Sequence, residues 1–161
     1  MTDHENHQGH QGHEGHEGHQ GHQGNESHES TALLHAFLEA VSFPVGGRPD
    51  YPRIAGLFRP DGRLIKCSGP EPESLTVPEF ITDRQRIWAA GSLTWFHEDE
   101  PHGRTDVFGR VAQRRSAYTK AGRLNGVDFA ATGVILTQFT HSATAGWQIA
   151  SMIWDDEPTP S

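Results

Sequence analysis

Residues 105–120 read TDVFGRVAQRRSAYTK and residues 128–140 read DFAATGVILTQFT. Both runs are rich in β-branched and aromatic residues and are bounded by glycine or turn residues, the pattern of long strands. Leu93–Glu98 precedes them and Trp147–Asp155 follows, so the second half of the chain reads as a meander of strands. Alternation along the first run places Phe108, Arg110, Ala112, Arg114, Ser116 and Tyr118 on one face if no bulge intervenes.

Working back from these strands, the pattern turns helical. Leu33, Leu34, Phe37, Leu38 and Val41 form a stripe at i, i+3, i+4 spacing, with Ser30 as the expected N-cap and Pro44 and Gly46-Gly47 ending the helix. A short second helix is expected over Pro52–Phe58. Arg59-Pro60-Asp61-Gly62 then reads as a turn, Arg63–Cys67 as a strand and residues 68–74 as a loop. Thr76 and Glu79 have the spacing of a capping box that opens a third helix to about Ala90, with Phe80, Arg84, Ile87 and Trp88 on one face. Helices first and strands afterwards predict an α+β domain, with about three helices packed on one face of a curved antiparallel sheet.

The N-terminus is of another kind. His4, His7, His10, His13, His16, His19 and His22 recur at every third position, His28 resumes the series, and between them lie almost only Gly, Gln and Glu. Glycine at this frequency opposes helix formation and nothing apolar is available to bury, so residues 1–29 are expected to be disordered. Closely spaced imidazoles on a flexible chain can surround one ion, and imidazole suits Ni, Zn and Cu. These eight histidines are therefore candidate ligands for a divalent transition metal, although a low-complexity terminus is also tolerated without any function. The division expected is a tail at 1–29, a domain at 30–157 and a disordered C-terminus at 158–161.

Composition narrows the partners. Asp3, Glu5, Glu14, Glu17, Glu26 and Glu29 place six acidic residues in the tail, against a net charge of −8 for the chain. No cationic surface for a phosphate backbone results, and nucleic acid is not an expected partner. The single cysteine, Cys67, excludes an internal disulfide, fits a reducing compartment and reads as a small buried hydrophobe. No basic-then-apolar leader and no apolar run of ~20 residues is seen, so the expectation is a cytoplasmic protein with no membrane partner.

Several stretches together resemble the nuclear transport factor 2-like superfamily, the cone-shaped, cystatin-like fold shared with ketosteroid isomerase, scytalone dehydratase and small polyketide cyclases. They are Leu57-Phe58-Arg59-Pro60-Asp61-Gly62-Arg63-Leu64-Ile65, Pro78-Glu79-Phe80-Ile81, Phe96-His97-Glu98-Asp99-Glu100, Phe108-Gly109-Arg110-Val111-Ala112-Gln113, Ser116-Ala117-Tyr118, Gly133 with Gln138, and Trp147-Gln148-Ile149 through Trp154-Asp155. The likeness is to an uncharacterised bacterial branch and covers nearly all of residues 31–157. Arg114-Arg115 and Ile135-Leu136 depart from that branch's usual pattern.

The resemblance implies a cone with a ligand pocket, and several residues are candidates to line it. Arg114 would be an internal cation for a carboxylate or enolate, or else an outer-face residue or a partner of Glu98. Tyr118 would donate to a ligand oxygen, as pocket tyrosines do in ketosteroid isomerase-like members, or be a packed ring. His97 is a candidate general base with Asp128 as its partner or as a carboxylate base, though both also read as solvated strand-end residues. Trp88, Gln138 and Trp154 complete the candidate ligand set. The loop His97–His102 offers at most a weak metal site. Two functions remain open: a small-molecule-binding or accessory domain for a small apolar or weakly acidic ligand, expected to be a homodimer and to require no cofactor and favoured because no paired acid–base set stands out, or an isomerase, dehydratase or cyclase abstracting a proton next to a carbonyl. The discriminating feature is whether His97 or Asp128 faces a cavity within reach of Tyr118.

Overall fold

A computed structural model describes residues 18–159, with side chains from Gly24 onward. The elements are α1 (Gly18–Val41), a 3₁₀ turn (Tyr51–Gly56), β1 (Phe58–Lys66), β2 (Glu73–Thr76), α2 (Val77–Ala89), β3 (Leu93–Phe108), β4 (Val111–Leu124), β5 (Val127–Ser142) and β6 (Gly146–Asp156). One six-stranded curved sheet runs in the order β2-β1-β6-β5-β4-β3. It is mixed rather than wholly antiparallel, because β1 pairs parallel with β6.

The helices cover only one face of the sheet. Leu34, Phe37, Leu38 and Val41 of α1 are buried against Phe58, Leu64, Ile135, Phe139, Ile149 and Met152 of the strands. The Phe37 ring meets Phe58 edge-on at 6.1 Å and Phe80 at 5.9 Å, tying α1 and α2 to the same strand. Each such side chain contributes about 1.5–3 kcal/mol by leaving water. The capping box of α2 forms as expected: Thr76 Oγ1 accepts from the Glu79 backbone N–H at 3.3 Å, and Glu79 Oε2 accepts from that of Thr76 at 3.2 Å.

Five local expectations are corrected. Residues 105–120 are not one strand, because the chain reverses at Gly109-Arg110, where Gly109 takes φ +57°. That reversal removes Phe108 and Arg110 from the face that carries Arg114, and Phe108 is 83% exposed at the hairpin tip. The expected turn at residues 59–62 is a register shift within β1, and part of the expected loop forms β2. The second helix is the 3₁₀ turn Tyr51–Gly56. Finally, α1 begins at Gly18, so Ser30 is not its N-cap but a fully buried interior residue whose Oγ donates back to the Glu26 carbonyl at 3.0 Å.

The tail histidines His4, His7, His10, His13 and His16 lie outside the described residues. His19 and His22 fall within α1, and His28 is exposed on it. Among the described residues no cluster of three metal-ligating side chains occurs, and no helix is long and apolar enough to cross a membrane.

Candidate ligand cavity and its buried ion network

The concave face of the sheet and the two helices enclose a cavity of about 470 Å³. Its walls are largely apolar, with Phe37, Val41, Phe80, Phe96, Phe129, Ile135, Met152 and Trp154 among them, and five charged residues interrupt this lining: Lys66, Arg84, Glu98, Lys120 and Asp156. The exposed lining residues Lys66 and Thr159 mark where it opens to solvent.

Three strands build the polar side of this cavity in one row. Tyr118 on β4 stands opposite Gly133 on β5, which stands opposite Asp156 on β6. The Tyr118 hydroxyl passes over Gly133 and donates to Asp156 Oδ1. A side chain at position 133 would block this reach, since its Cβ would fall 2.5 Å from Tyr118 Cζ and collide with the Asp155 carbonyl oxygen. Gly133 is required here for close approach rather than for backbone freedom. Lys120 Nζ donates to the same Asp156 oxygen at 2.7 Å. Burial raises the Asp156 carboxyl, but the hydrogen bonds from Lys120 and Tyr118 outweigh it and hold the group below the usual aspartate range. The phenol of Tyr118 is driven up, first by burial and then by its bond to Asp156. Its proton is committed, so Tyr118 positions Asp156 instead of donating to a ligand.

Glu98, weighed from sequence only as a partner for Arg114 or a weak metal ligand, is the carboxyl that faces the cavity from β3. It stands opposite Lys120 in the β3–β4 ladder and lines the cavity. Burial pushes its carboxyl up to about 7, against the opposing pull of Lys120 and Arg84, and Asp156 adds to the rise. At its back, Ser42 Oγ of the α1 C-terminal turn accepts from the Glu98 backbone N–H at 3.0 Å and fixes the strand.

His97 and Asp128 do not face the cavity. A register shift between Leu93 and Trp95 inverts the alternation of β3, so Glu98 turns inward and His97 outward, where it is exposed. Asp128 forms an ion pair with Arg123 at 2.9 Å on the surface, with its side chain 67% exposed. Neither is within the network that holds Tyr118.

Arg114 points to the concave face, as alternation predicts, but α1 covers it. Its guanidinium donates to both Glu100 oxygens, at 2.9 and 2.6 Å, and to Thr105 Oγ1 at 2.7 Å and Thr31 Oγ1 at 3.3 Å. It pairs with Glu100 rather than Glu98 and clamps α1 to the sheet without lining the cavity. Burial raises the Glu100 carboxyl, yet the hydrogen bonds led by Arg114 hold it below its ordinary value. Trp154 is a cavity wall. Trp88 instead lines a separate cleft with Arg48, whose guanidinium lies 5.3 Å from the Trp88 ring. Gln138 is exposed and accepts from Ser151 Oγ at 3.2 Å.

Helices against one face of a curved, unclosed mixed sheet with a cavity between them define the nuclear transport factor 2-like fold, and this chain adopts it. A nuclear transport factor 2-like superfamily protein from Salmonella enterica superposes with TM-score 0.68 at 14% identity, over 86% of this chain and 95% of that one. A protein of the same fold family from Streptomyces avermitilis, a candidate dehydratase, gives 0.66 at 16% identity over 84% and 99%. A candidate aromatic ring hydroxylase from Novosphingobium aromaticivorans gives 0.64 at 15% over 85% and 92%. No protein-family model and no curated protein matches the chain.

Proposed function

We propose that the domain binds a small, largely apolar molecule in the cavity and that the histidine-rich tail binds a divalent transition metal. The observation that carries the first part is a cavity of about 470 Å³ whose apolar walls meet a compact set of charged groups at one side. Its size falls within the ~300–1,000 Å³ of small-molecule sites, and a few polar groups in an apolar lining are what fix a ligand's orientation. A thermal-shift screen of apolar and weakly acidic compounds on the full chain tests this. Hits are expected to raise Tm in the native chain and not in Ala131→Phe, which fills the cavity. Hits that survive that substitution would place the ligand elsewhere.

A second reading, proton abstraction next to a carbonyl, is favoured by Glu98 alone. A carboxylate near 7 at a cavity wall suits a general base at neutral pH, and it occupies the role that His97 and Asp128 do not reach. The fold relatives support a binding or catalytic scaffold without choosing between them.

For the tail, calorimetric titration of the full chain with Ni(II), Zn(II) and Cu(II) is expected to show binding, tightest for Cu(II). Binding should weaken steeply below the ordinary histidine pKa of ~6.5, because only unprotonated rings coordinate. A full chain with His4, His7, His10, His13, His16, His19, His22 and His28 all changed to Gln should lose it. Unchanged stoichiometry in that variant would overturn the proposal. A homodimer would raise the local histidine concentration further.

A further inference from the structure

The charges of the cavity do not cancel, and the excess has a sign. Lys120 and Asp156 neutralise each other at 2.7 Å. Arg84 and Lys66 form no ion pair or hydrogen bond with a carboxylate among the described residues, yet both line the cavity. Arg84 is also held in place: its guanidinium lies 5.0 Å from the Phe80 ring centroid, flanking the α2 wall. Against these two cations stands one carboxyl, Glu98. The lining is therefore cationic by one charge with Glu98 ionised and by two with it protonated.

We infer that the cavity's ligand class is a monoanionic amphipathic acid, its carboxylate held by Arg84 and Lys66 and its apolar body packed toward Phe96 and Phe129. This rests on the reading of the cavity as a small-molecule site and names what that site selects. A stacked guanidinium presents a planar fork that a carboxylate matches, and its hydrogen bonds there are charge-assisted. An uncharged isostere leaves the half-buried Arg84 with only Glu98 as a nearby counter-charge, the unfavourable case for a partly buried cation, whereas Lys66 stays hydrated at the mouth and contributes less. The cation role that the strand pattern suggested for Arg114 thus passes to Arg84, because Arg114 already has Glu100.

The test uses 2-naphthoate, 4-phenylbutyrate and decanoate, each beside its primary amide, titrated into the full chain and followed by tryptophan fluorescence and calorimetry. At least one acid is expected to bind about ten-fold or more tighter than its amide. Arg84→Gln should reduce that preference to about two-fold or less, and Lys66→Gln should weaken it partially. Melting curves of both variants establish that they fold. Amides binding as tightly as acids, or an acid preference that survives in the double variant, would overturn the assignment while leaving the cavity a binding site. Failure of acids and amides alike would instead count against the cavity reading itself, and this inference would fall with it.

Discussion

Arg114→Ala is expected to destabilise the domain by about 3–5 kcal/mol, because it strands the Glu100 carboxylate in the layer between α1 and the sheet. The pair has side-chain exposures of 10% and 4%, so water does not take over the lost hydrogen bonds. His35 Nε2, 3.1 Å from Glu100 Oε1, is too exposed to replace a bidentate guanidinium. Urea unfolding followed by tryptophan fluorescence measures the loss. A double change, Arg114→Leu with Glu100→Leu, should restore most of it, since removing both charges leaves no desolvated ion. A single variant within about 1 kcal/mol of the native chain would show that the pair adds little to the α1 contact.

The second large effect concerns Glu98 and has a defined pH window. Its carboxyl titrates near 7 in the folded chain against an ordinary 4.5. Between those values the folded chain holds a proton that the unfolded chain has released, so stability falls as pH rises through the window. The loss is on the order of 2–3 kcal/mol once pH exceeds 7. The groups that face Glu98 are Lys120 from β4, Arg84 from α2 and Asp156 from β6. Glu98→Gln should abolish this slope and make the chain more stable than the native one at pH 8, with little difference at pH 5. Glu100 and Asp156, whose carboxyls are held low, act in the opposite sense and only at more acidic pH. Unfolding free energies at pH 5, 6, 7 and 8 decide the matter: parallel curves for variant and native chain would mean that Glu98 is not buried against its charge.

Much of the fold was legible because its signals are local. The capping box at Thr76 and Glu79, the α1 stripe and the unbroken alternation from Ala112 to Tyr118 each depend on neighbours within a few residues. The β4–β5 turn shows the same economy. Asn125-Gly126, with φ +50° and +78°, is a dipeptide suited to a two-residue hairpin.

The site was less legible because it depends on register across strands. One irregularity between Leu93 and Trp95 exchanges the faces of His97 and Glu98. Alternation has a period of two, so a one-residue shift reverses every later side chain in the strand. Tyr118 was visible as a polar ring on the concave face, but its proton's destination, Asp156, lies 38 residues away. Gly133 carried a signal in retrospect: a glycine inside a long strand marks a close approach.

Sequence by itself determined the order of helices and strands and the long curved sheet, since periodicity and composition act over short distances. Tertiary structure alone decided which charges meet. It gave Arg114 to Glu100 and Asp156 to Tyr118 and Lys120, and left Arg84, Lys66 and Glu98 facing the cavity. The physical reason is that electrostatic partnership is fixed by distance and burial in space, which strand pairing sets and residue order does not.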